Sequence, residues 1–267
     1  MSIVTASSVD QVTVPKGDAD IAAVATLFGE PSRARVLAAL VDGRALPASA
    51  LAAEAGVSAP AMSAHLAKLL NSGLVTVEPS GRHRYYRLAG PKVAAVLEAM
   101  AVLAPQRPIT SLRQGTKAEA MRRARTCYDH LAGRLGSDIT AALLDTGALE
   151  PVDGNLCTDR RPGDPLAAAI PRGNEAYRLG DNAGPVFADL GVDIDAAILA
   201  AGRTGRPPLR FCVDWTEQRH HLAGQLGAEL CRALVDRGWI ERVPQQRAVR
   251  ITNAGRAGLA ATLGVQS

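Results

Sequence analysis

A heptapeptide that occurs twice is the feature that most constrains how this chain can fold. HLAGRLG occupies residues 130–136 and HLAGQLG occupies residues 221–227, a separation of 91 residues. The similarity runs without a gap from 130–152 to 221–243, and each copy then continues to an Asn-Ala-Gly triplet. Self-similarity at a fixed period indicates a duplicated structural unit. We therefore expect a tandem pair of winged-helix-like repeats, each built as helix, strand, strand, helix.

The duplicated domain is expected to span 118–267, with copies at about 118–193 and 209–267. The two triplets are 71 residues apart, so the first copy is about 20 residues longer, and the excess falls around 153–175. That stretch is rich in glycine, proline and charge, which predicts a long surface loop. Two similar halves meet at a cleft, and clefts between domains are common ligand sites.

The composition favours helices and a cytoplasmic protein. Aromatic residues make up only 3% of the chain, and the abundant alanine and leucine are strong helix formers. The predicted class is therefore mainly α with small β wings. No apolar run approaches the ~18 residues of a membrane span, so we expect no membrane partner. Residues 1–18 lack the basic start and apolar core of a secretory signal, and we expect a flexible N-terminal arm.

Residues 19–105 carry a second, different pattern. Apolar residues recur at helical spacing in 19–29 and 32–43, and again in 48–55 and 60–72. Between the last two segments stands Gly-Val-Ser, in which glycine suits a tight turn and Ser58 can cap the following helix. This order is typical of a helix-turn-helix.

A basic hairpin is predicted directly after the second helix of this motif. Residues 74–78 and 82–88 form two β-like runs around Pro-Ser-Gly. Residues 58–88 contain four basic residues and one acid, for a local charge of +3 out of +4 for the whole chain. A basic hairpin beside a helix-turn-helix is what phosphate contact and groove insertion require, so we expect double-stranded DNA as the partner.

Residues 19–104 resemble the ArsR-type winged-helix repressors. The resemblance rests on ALAAEAGVSAPAMSAHLAKLLNSGLV and on the wing sequence GRHRYYRL, and it covers about a third of the chain. It implies that the helix starting near Ser58 enters the major groove and that helices 19–29 and 91–104 form a dimer interface. The implied contacts to bases or backbone are Ser58, Ala59, Met62, Ser63 and His65. The implied phosphate contacts are Lys68, Arg82 and Arg84.

The chain departs from the metal-sensing members of that family. The helix at 32–42 contains no cysteine, and the helix at 92–105 contains no histidine. The resemblance therefore implies repression and dimerisation but not metal sensing. We expect no metal site of the familiar kinds and no cofactor.

Residues 106–117 are predicted to form a linker, followed by a long basic helix through residue 136. Met121, Ala124, Tyr128, Leu131 and Leu135 would form its apolar stripe, which leaves the arginines on the other face. Arg122, Arg123 and Arg125 are then either a solvated face or flanking phosphate contacts. The second heptapeptide is likewise assigned to a buried helix over 217–237.

Both copies carry Cys-x-Asp followed by histidine. Three interpretations stay open: small core residues, a metal site of histidine and cysteine, or a pocket for an organic effector. Tyr128 and Trp215 could wall such a pocket. The six effector-binding candidates are Cys127, Tyr128, His130, Cys212, Trp215 and His221.

The sequence predicts a homodimeric, sequence-specific DNA-binding repressor that is released by a small organic molecule bound in the C-terminal domain. The alternatives are a metal- or redox-responsive repressor that uses the C-terminal cysteines, and a winged-helix module for protein interaction. The chain contains no P-loop, GxGxxG motif or nucleophile elbow, so we do not expect an enzyme.

Overall fold

The computed structural model describes residues 18–81, 83–105, 111–165, 167, 169–171, 173–243 and 246–266. Residues 1–17 of the arm predicted at 1–18 therefore lie outside the described residues. The elements of the N-terminal part are α1 (Ile21–Gly29), α2 (Pro31–Leu40), β1 (Leu46–Pro47), α3 (Ala48–Ala55), α4 (Ala59–Asn71), β2 (Val75–Ser80), β3 (His83–Leu88) and α5 (Pro91–Leu103). They form a winged helix-turn-helix, and this prediction is confirmed.

Local sequence signals position α3 and α4. Gly56 ends α3 in the left-handed conformation, with φ of 68°, which a glycine adopts without strain. Ser58 caps α4 by accepting a hydrogen bond from the backbone N–H of Ala61. One face of α4 is buried through Met62, Leu66 and Leu69, as its apolar spacing requires.

The wing is a three-stranded antiparallel sheet in the order β1-β3-β2. Its strand β2 extends two residues beyond the predicted end at 78, because Ser80 still pairs with His83 of β3. The short β1 was not expected from the sequence, and it pairs Leu46 with Tyr86. Buried Tyr86 and Leu88 anchor the wing to the N-terminal core.

The elements of the C-terminal part alternate short hairpins with helices. They are α6 (Leu112–Arg123), β4 (Arg125–Cys127), β5 (His130–Ala132), α7 (Gly133–Asp145), β6 (Leu149–Pro151), β7 (Tyr177–Leu179), α8 (Ala183–Asp189), α9 (Ile194–Thr204), β8 (Arg210–Val213), β9 (His220–Ala223), α10 (Gly224–Asp236), β10 (Ile240–Arg242), β11 (Val249–Ile251) and α11 (Asn253–Leu263). Across the described residues, no helix combines the length and the apolar content needed to cross a membrane.

The duplication is visible in the fold. Helices α7 and α10 begin and end 91 residues apart, and each is followed by two paired strands and a helix. The expected order of helix, strand, strand, helix is therefore present in both copies. Each copy also begins with a hairpin, β4–β5 or β8–β9, that the sequence did not predict.

Two helix predictions are wrong at these hairpins. The expected helix through residue 136 ends at Arg123, and the chain then turns at Tyr128, whose φ is 60°. The helix expected over 217–237 begins only at Gly224, so Leu222 lies on a strand. The predicted linker is also wrong in part, because α6 begins at Leu112, while residues 106–110 lie outside the described residues.

The stretch predicted as a surface loop packs against the second copy. The backbone N–H of Ile170 donates to the carbonyl of Phe211 at 2.8 Å, and that of His220 donates to the carbonyl of Thr158 at 2.7 Å. Ile170 and Thr158 are both buried. The segment has the composition of a loop, but much of it packs on the β8–β9 hairpin.

The two copies interlock through their hairpins. Helix α7 packs on β9 of the second copy, and α10 packs on β5 of the first. The buried hydroxyl of Thr140 in α7 accepts a hydrogen bond from the backbone N–H of Leu222 at 2.9 Å. Residues of both copies share one continuous hydrophobic core, which is separate from the N-terminal core.

Two glycines of the repeated heptapeptide make this packing possible. A Cβ at Gly136 would lie 2.6 Å from the carbonyl oxygen of Leu131 and 3.5 Å from the Cβ of His221. A Cβ at Gly227 would lie 2.6 Å from the carbonyl oxygen of Leu222 and 3.3 Å from the Cβ of His130. Each glycine therefore lets its helix approach its own hairpin and the histidine of the other copy.

We predict that Gly227→Ala lowers the free energy of unfolding by at least about 1–3 kcal/mol, the usual cost of overpacking, because the new methyl group meets a backbone oxygen. Gly202→Ala in α9 is the matched control, since a Cβ there has nothing within 4 Å. It should be neutral or stabilising. Thermal denaturation of both variants tests this, and equal melting temperatures would contradict the close packing.

Candidate functional site

The exposed face of α4 carries most of the residues expected to contact DNA. Ser58, Ala59, Ser63 and Lys68 are all exposed. The hydroxyl of Ser63 donates to the carbonyl of Ala59 at 3.1 Å. This face offers small polar groups and the cation of Lys68 to a partner.

Two residues of α4 behave differently from the expectation. Met62 is fully buried in the N-terminal core, so its assignment as a DNA contact is wrong, and its place on the apolar face explains why. His65 is half-buried, and its Nδ1 lies 3.5 Å from Oε2 of Glu30, the residue that caps α2. His65 thus joins two helices of the motif.

The basic side chains of the wing lie at different distances from the tip of the β2–β3 hairpin. Arg84 is exposed near the tip, opposite Pro79. Arg87 lies nearer the base and pairs with Glu78 of the neighbouring strand at 3.1 Å. Arg82 lies outside the described residues. Arg84 is therefore the wing cation that the described structure leaves facing solvent at the tip.

Four of the six effector candidates come together where the copies meet. Cys127 pairs with His130 across the β4–β5 hairpin, and Cys212 pairs with His221 across the β8–β9 hairpin. These four residues are called the Cys–His cluster below. Sγ of Cys127 and a ring nitrogen of each histidine all lie within 4.8 Å of one another. The two imidazole rings are stacked, with centroids 5.2 Å apart.

The cluster holds polar atoms without hydrogen-bond partners. The side chains of His130 and His221 are 7% and 1% exposed. Among the described residues, Nε2 of His130 and both ring nitrogens of His221 have no hydrogen-bond partner. Burial lowers the pKa of His221 to about 3, which outweighs the opposing effect of Asp214 and keeps the ring neutral.

The thiol of Cys127 has a perturbed pKa. A hydrogen bond with Cys212 and the burial of the thiol raise the pKa of Cys127 well above its usual range, and the charge of Glu98 adds to this. Cys127 is therefore a thiol at neutral pH in this arrangement. Cys212 itself is buried.

An aspartate stands beside each histidine. Nδ1 of His130 donates to Oδ1 of Asp129 at 3.3 Å. Nδ1 of His221 lies 3.7 Å from Oδ2 of Asp214, which is too long for a hydrogen bond. Both aspartates belong to the repeated Cys-x-Asp pattern.

Each of these aspartates is held by an arginine that is distant in the sequence: Arg125 of the first copy holds Asp214 of the second, and Arg206, between the copies, holds Asp129. Arg125 donates to both carboxylate oxygens of Asp214, at 2.9 and 2.8 Å, and both side chains are fully buried. Arg206 pairs in the same way with Asp129, with a contact of 2.9 Å to Oδ1. Burial raises the pKa of Asp214, but the charge of Arg125 outweighs this effect and holds the pKa well below its usual range. Hydrogen bonds from the backbone N–H of Gly133 and the hydroxyl of Thr216 lower it further.

The two aromatic candidates lie at the edges of the cluster. The guanidinium of Arg125 sits over the ring of Trp215, 5.0 Å from its centroid. Tyr128 packs against the N-terminal core, where its ring and carbonyl contact the position of Gly43. The structure thus separates the two rings that were expected to wall one pocket.

A large cavity exists in a different place. It has a volume of about 990 Å³ and lies between α6, the β10–β11 hairpin and α11. Its lining includes Arg123, Arg250 and Arg256 but none of the six effector candidates.

A polar contact joins the Cys–His cluster to α5. Arg247, in the connection between β10 and β11, pairs with Glu98 of α5. The same guanidinium donates to the carbonyl of Thr126, next to Cys127, at 3.1 Å. Glu98 is buried at this contact.

Comparison with known proteins supports the N-terminal assignment and extends it to the whole chain. A family described as a helix-turn-helix domain matches residues 28–78. The chain is also similar to the uncharacterized HTH-type transcriptional regulator YdfF of Bacillus subtilis (strain 168), at 35% identity over 247 residues. The alignment covers 92% of this chain and 98% of the relative, so it includes most of the repeats.

The chain belongs to the ArsR-type helix-turn-helix transcriptional regulators. Such a regulator binds DNA, and the prediction of a DNA-binding transcriptional regulator is confirmed at that level.

Two solved structures each cover about a third of this regulator. Reduced HlyU from Vibrio cholerae N16961 is 27% identical and covers 32% of this chain and 88% of its own, with a TM-score of 0.29. The DNA-binding domain of Mb0332 from Mycobacterium bovis, described as homodimeric, is also 27% identical. It covers 33% of this chain and 87% of its own, with a TM-score of 0.29.

Several residues of the regulator's repeat centre were missed or misjudged from sequence. Arg125 was assigned to an outer helix face, yet it is fully buried beside Asp214. The Cys-x-Asp pattern did signal both aspartates. Nothing in the sequence indicated that Arg206 or Arg247 would reach across to them or to Glu98, because those contacts span long distances along the chain.

We predict that Asp214→Ala costs the regulator about 3–5 kcal/mol of stability, because it leaves the Arg125 charge buried and unpaired. Glu150→Ala is the control, since it breaks the exposed pair with Arg178 and should cost at most about 1 kcal/mol. Chemical denaturation followed by circular dichroism measures both. Equal losses would show that the buried pair does not bind the copies together.

Proposed function

We propose that this regulator is a homodimeric, sequence-specific repressor whose affinity for its operator is controlled by an effector bound in the C-terminal repeats. The single observation that carries the DNA-binding role is the exposed polar face of α4 beside the basic wing. Ser58, Ser63 and Lys68 on the helix and Arg84 on the wing are the proposed contacts, together with Ala59 and Arg82. The proposed place of action is the cytoplasm.

The proposed dimer uses the two helices that flank the motif. Ile21 in α1 is 76% exposed and Leu103 in α5 is 75% exposed, and Val24, Val96 and Met100 are exposed on the same helices. Clustered apolar exposure of this kind usually marks an interface. A second copy covering these helices would present two recognition helices to one side of the duplex, about one helical turn apart.

The proposed effector site lies in the repeats, because the N-terminal module alone suffices to bind DNA. A ligand that binds the DNA-incompetent state better weakens operator affinity by that difference and by no more. The expected organic effector stays a prediction. The closed Cys–His cluster favours a smaller ligand, whose class is argued in the next subsection.

We predict that Arg84→Ala weakens binding to all DNA sequences and lowers the slope of affinity against salt by about 1, as the loss of one phosphate contact requires. Fluorescence anisotropy with a fragment from upstream of its own gene measures the slope. Arg178→Ala is the control, because it removes an exposed cation in the repeats. An unchanged slope in Arg84→Ala, or binding that is flat to salt, would favour a protein-interaction module.

We predict that Leu103→Glu converts the dimer to a monomer, since a carboxylate placed in an apolar interface is costly to bury. Leu199→Glu in α9 is the matched control, at 63% exposure on a helix outside the proposed interface. Sedimentation velocity distinguishes the two variants. If Leu103→Glu stays dimeric, or if Leu199→Glu dissociates, the interface lies elsewhere.

A further inference from the structure

We propose that the Cys–His cluster is a binding site for one transition-metal ion of the zinc class, held by Cys127, Cys212, His130 and His221. We further propose that this ion is the effector of the regulator, a role that rests on the proposed function above. The site differs in position from the helices at 32–42 and 92–105, where the familiar sensor ligands are missing.

The donor set matches the chemistry of such an ion. Two thiolates and two imidazoles form the Cys₂His₂ set that zinc prefers in tetrahedral sites. Bond lengths of about 2.0–2.3 Å place the donors of a tetrahedral site roughly 3.3–3.8 Å apart. The three donors that already lie within 4.8 Å of one another need only a modest closure, whereas the thiol of Cys212 has to move in, because it lies outside that group in the described structure.

Ring nitrogens without hydrogen-bond partners support the metal site independently of the donor set. Burying a ring nitrogen without a partner costs free energy, so native structures rarely leave one there. Here Nε2 of His130 and both nitrogens of His221 share one enclosed space without partners among the described residues. A metal ion would satisfy both rings at once, whereas a simple core position would not need histidine.

The aspartates supply the outer support that metal-binding histidines usually have. A carboxylate beside the far ring nitrogen orients the imidazole and leaves the other nitrogen for the ion. Asp129 and Asp214 occupy these positions, and Arg206 and Arg125 fix them in turn. An aspartate stands beside the histidine in both copies, and only the contact between Asp129 and His130 is a hydrogen bond in the described structure.

The proposed metal site gives a chemical reason for the duplication. One copy supplies a single cysteine and a single histidine, which is half of a tetrahedral site. Two copies that face each other through Gly136 and Gly227 supply all four donors. A cavity for an organic ligand would need no such symmetry, and the large cavity of the repeats is lined by other residues.

The site is also connected to the DNA-binding part. Cys127 is followed by Tyr128, which packs on the N-terminal core at Gly43. It is preceded by Thr126, whose carbonyl binds Arg247, the partner of Glu98 in α5. Closure of the donors around an ion therefore displaces Tyr128 and Thr126. Their contacts transmit this displacement to α2 and α5, which favours one arrangement of the proposed dimer.

Binding of the ion is a simple exchange. One divalent ion displaces the two thiol protons of Cys127 and Cys212 and forms two metal–sulfur bonds, and two protons go to solvent. Each histidine coordinates through a ring nitrogen without a proton, so the proton held at Nε2 of His130 is also released to solvent, and no electron is transferred.

Cobalt titration of the metal-free, full-length protein tests the site. We expect one Co²⁺ per chain, with the intense visible bands of tetrahedral coordination and a near-ultraviolet band from two thiolates. Cys127→Ser and Cys212→Ser should each weaken the thiolate band and lower the affinity at least tenfold. Cys157→Ser is the control, because Cys157 is exposed and lies outside the cluster.

Three results would overturn the site. They are the absence of tetrahedral bands in the wild-type protein, bands that persist in the double serine variant, and loss of the bands in Cys157→Ser. Circular dichroism of each variant without metal tests whether the variant is folded. If a variant is unfolded, the presence or absence of tetrahedral bands in the wild-type protein still decides whether the site exists. Two-electron oxidation of the two thiols to a disulfide by added peroxide, without any cobalt site, would replace the ion with a redox sensor.

The effector role has its own readout. We expect Zn²⁺ to change operator affinity at least tenfold relative to the chelated protein, and Cys212→Ser to abolish that change. Stoichiometric metal binding with unchanged operator affinity would overturn the effector role alone. Failure of the metal-free protein to bind any DNA would instead overturn the proposed function, because the cobalt readout does not depend on DNA.

Discussion

The packing of each hairpin against the helix of the other copy is the constraint on which the C-terminal half depends. It requires a glycine at positions 136 and 227, where any side chain would meet a backbone oxygen. Once the hairpins are this close, their cross-strand cysteine and histidine pairs face each other, and the buried pair of Arg125 and Asp214 forms between the copies. The repeated heptapeptide is therefore a packing motif and a donor motif at the same time.

The N-terminal part depends on a different kind of constraint. Its helix-turn-helix is specified locally by a cap at Ser58 and a left-handed glycine at 56, and by one apolar face per helix. The two parts meet at Tyr128 and at the contact between Arg247 and Glu98. These few contacts are where an event in the repeats can reach α2 and α5.

The difference between local and long-range constraints explains what the sequence could predict. The helices of the winged motif were placed within a few residues, because caps and periodicity are local signals. The β4–β5 hairpin was taken for helix because Ala124, Tyr128, Leu131 and Leu135 happen to follow helical spacing, and strands of three residues leave almost no period of their own. The four cluster residues were named, but their meeting depends on contacts about 90 residues apart. Met62 and Arg125 were misassigned because their burial is decided by tertiary packing.

The most direct test of the account is X-ray absorption at the zinc edge of full-length protein loaded with one equivalent of Zn²⁺. The account predicts two sulfur ligands at about 2.3 Å and two nitrogen ligands at about 2.0 Å, with the outer scattering of imidazole rings. A first shell made only of nitrogen and oxygen, or one with the disorder of adventitious binding, would contradict the claim that the duplicated hairpins build a single metal site.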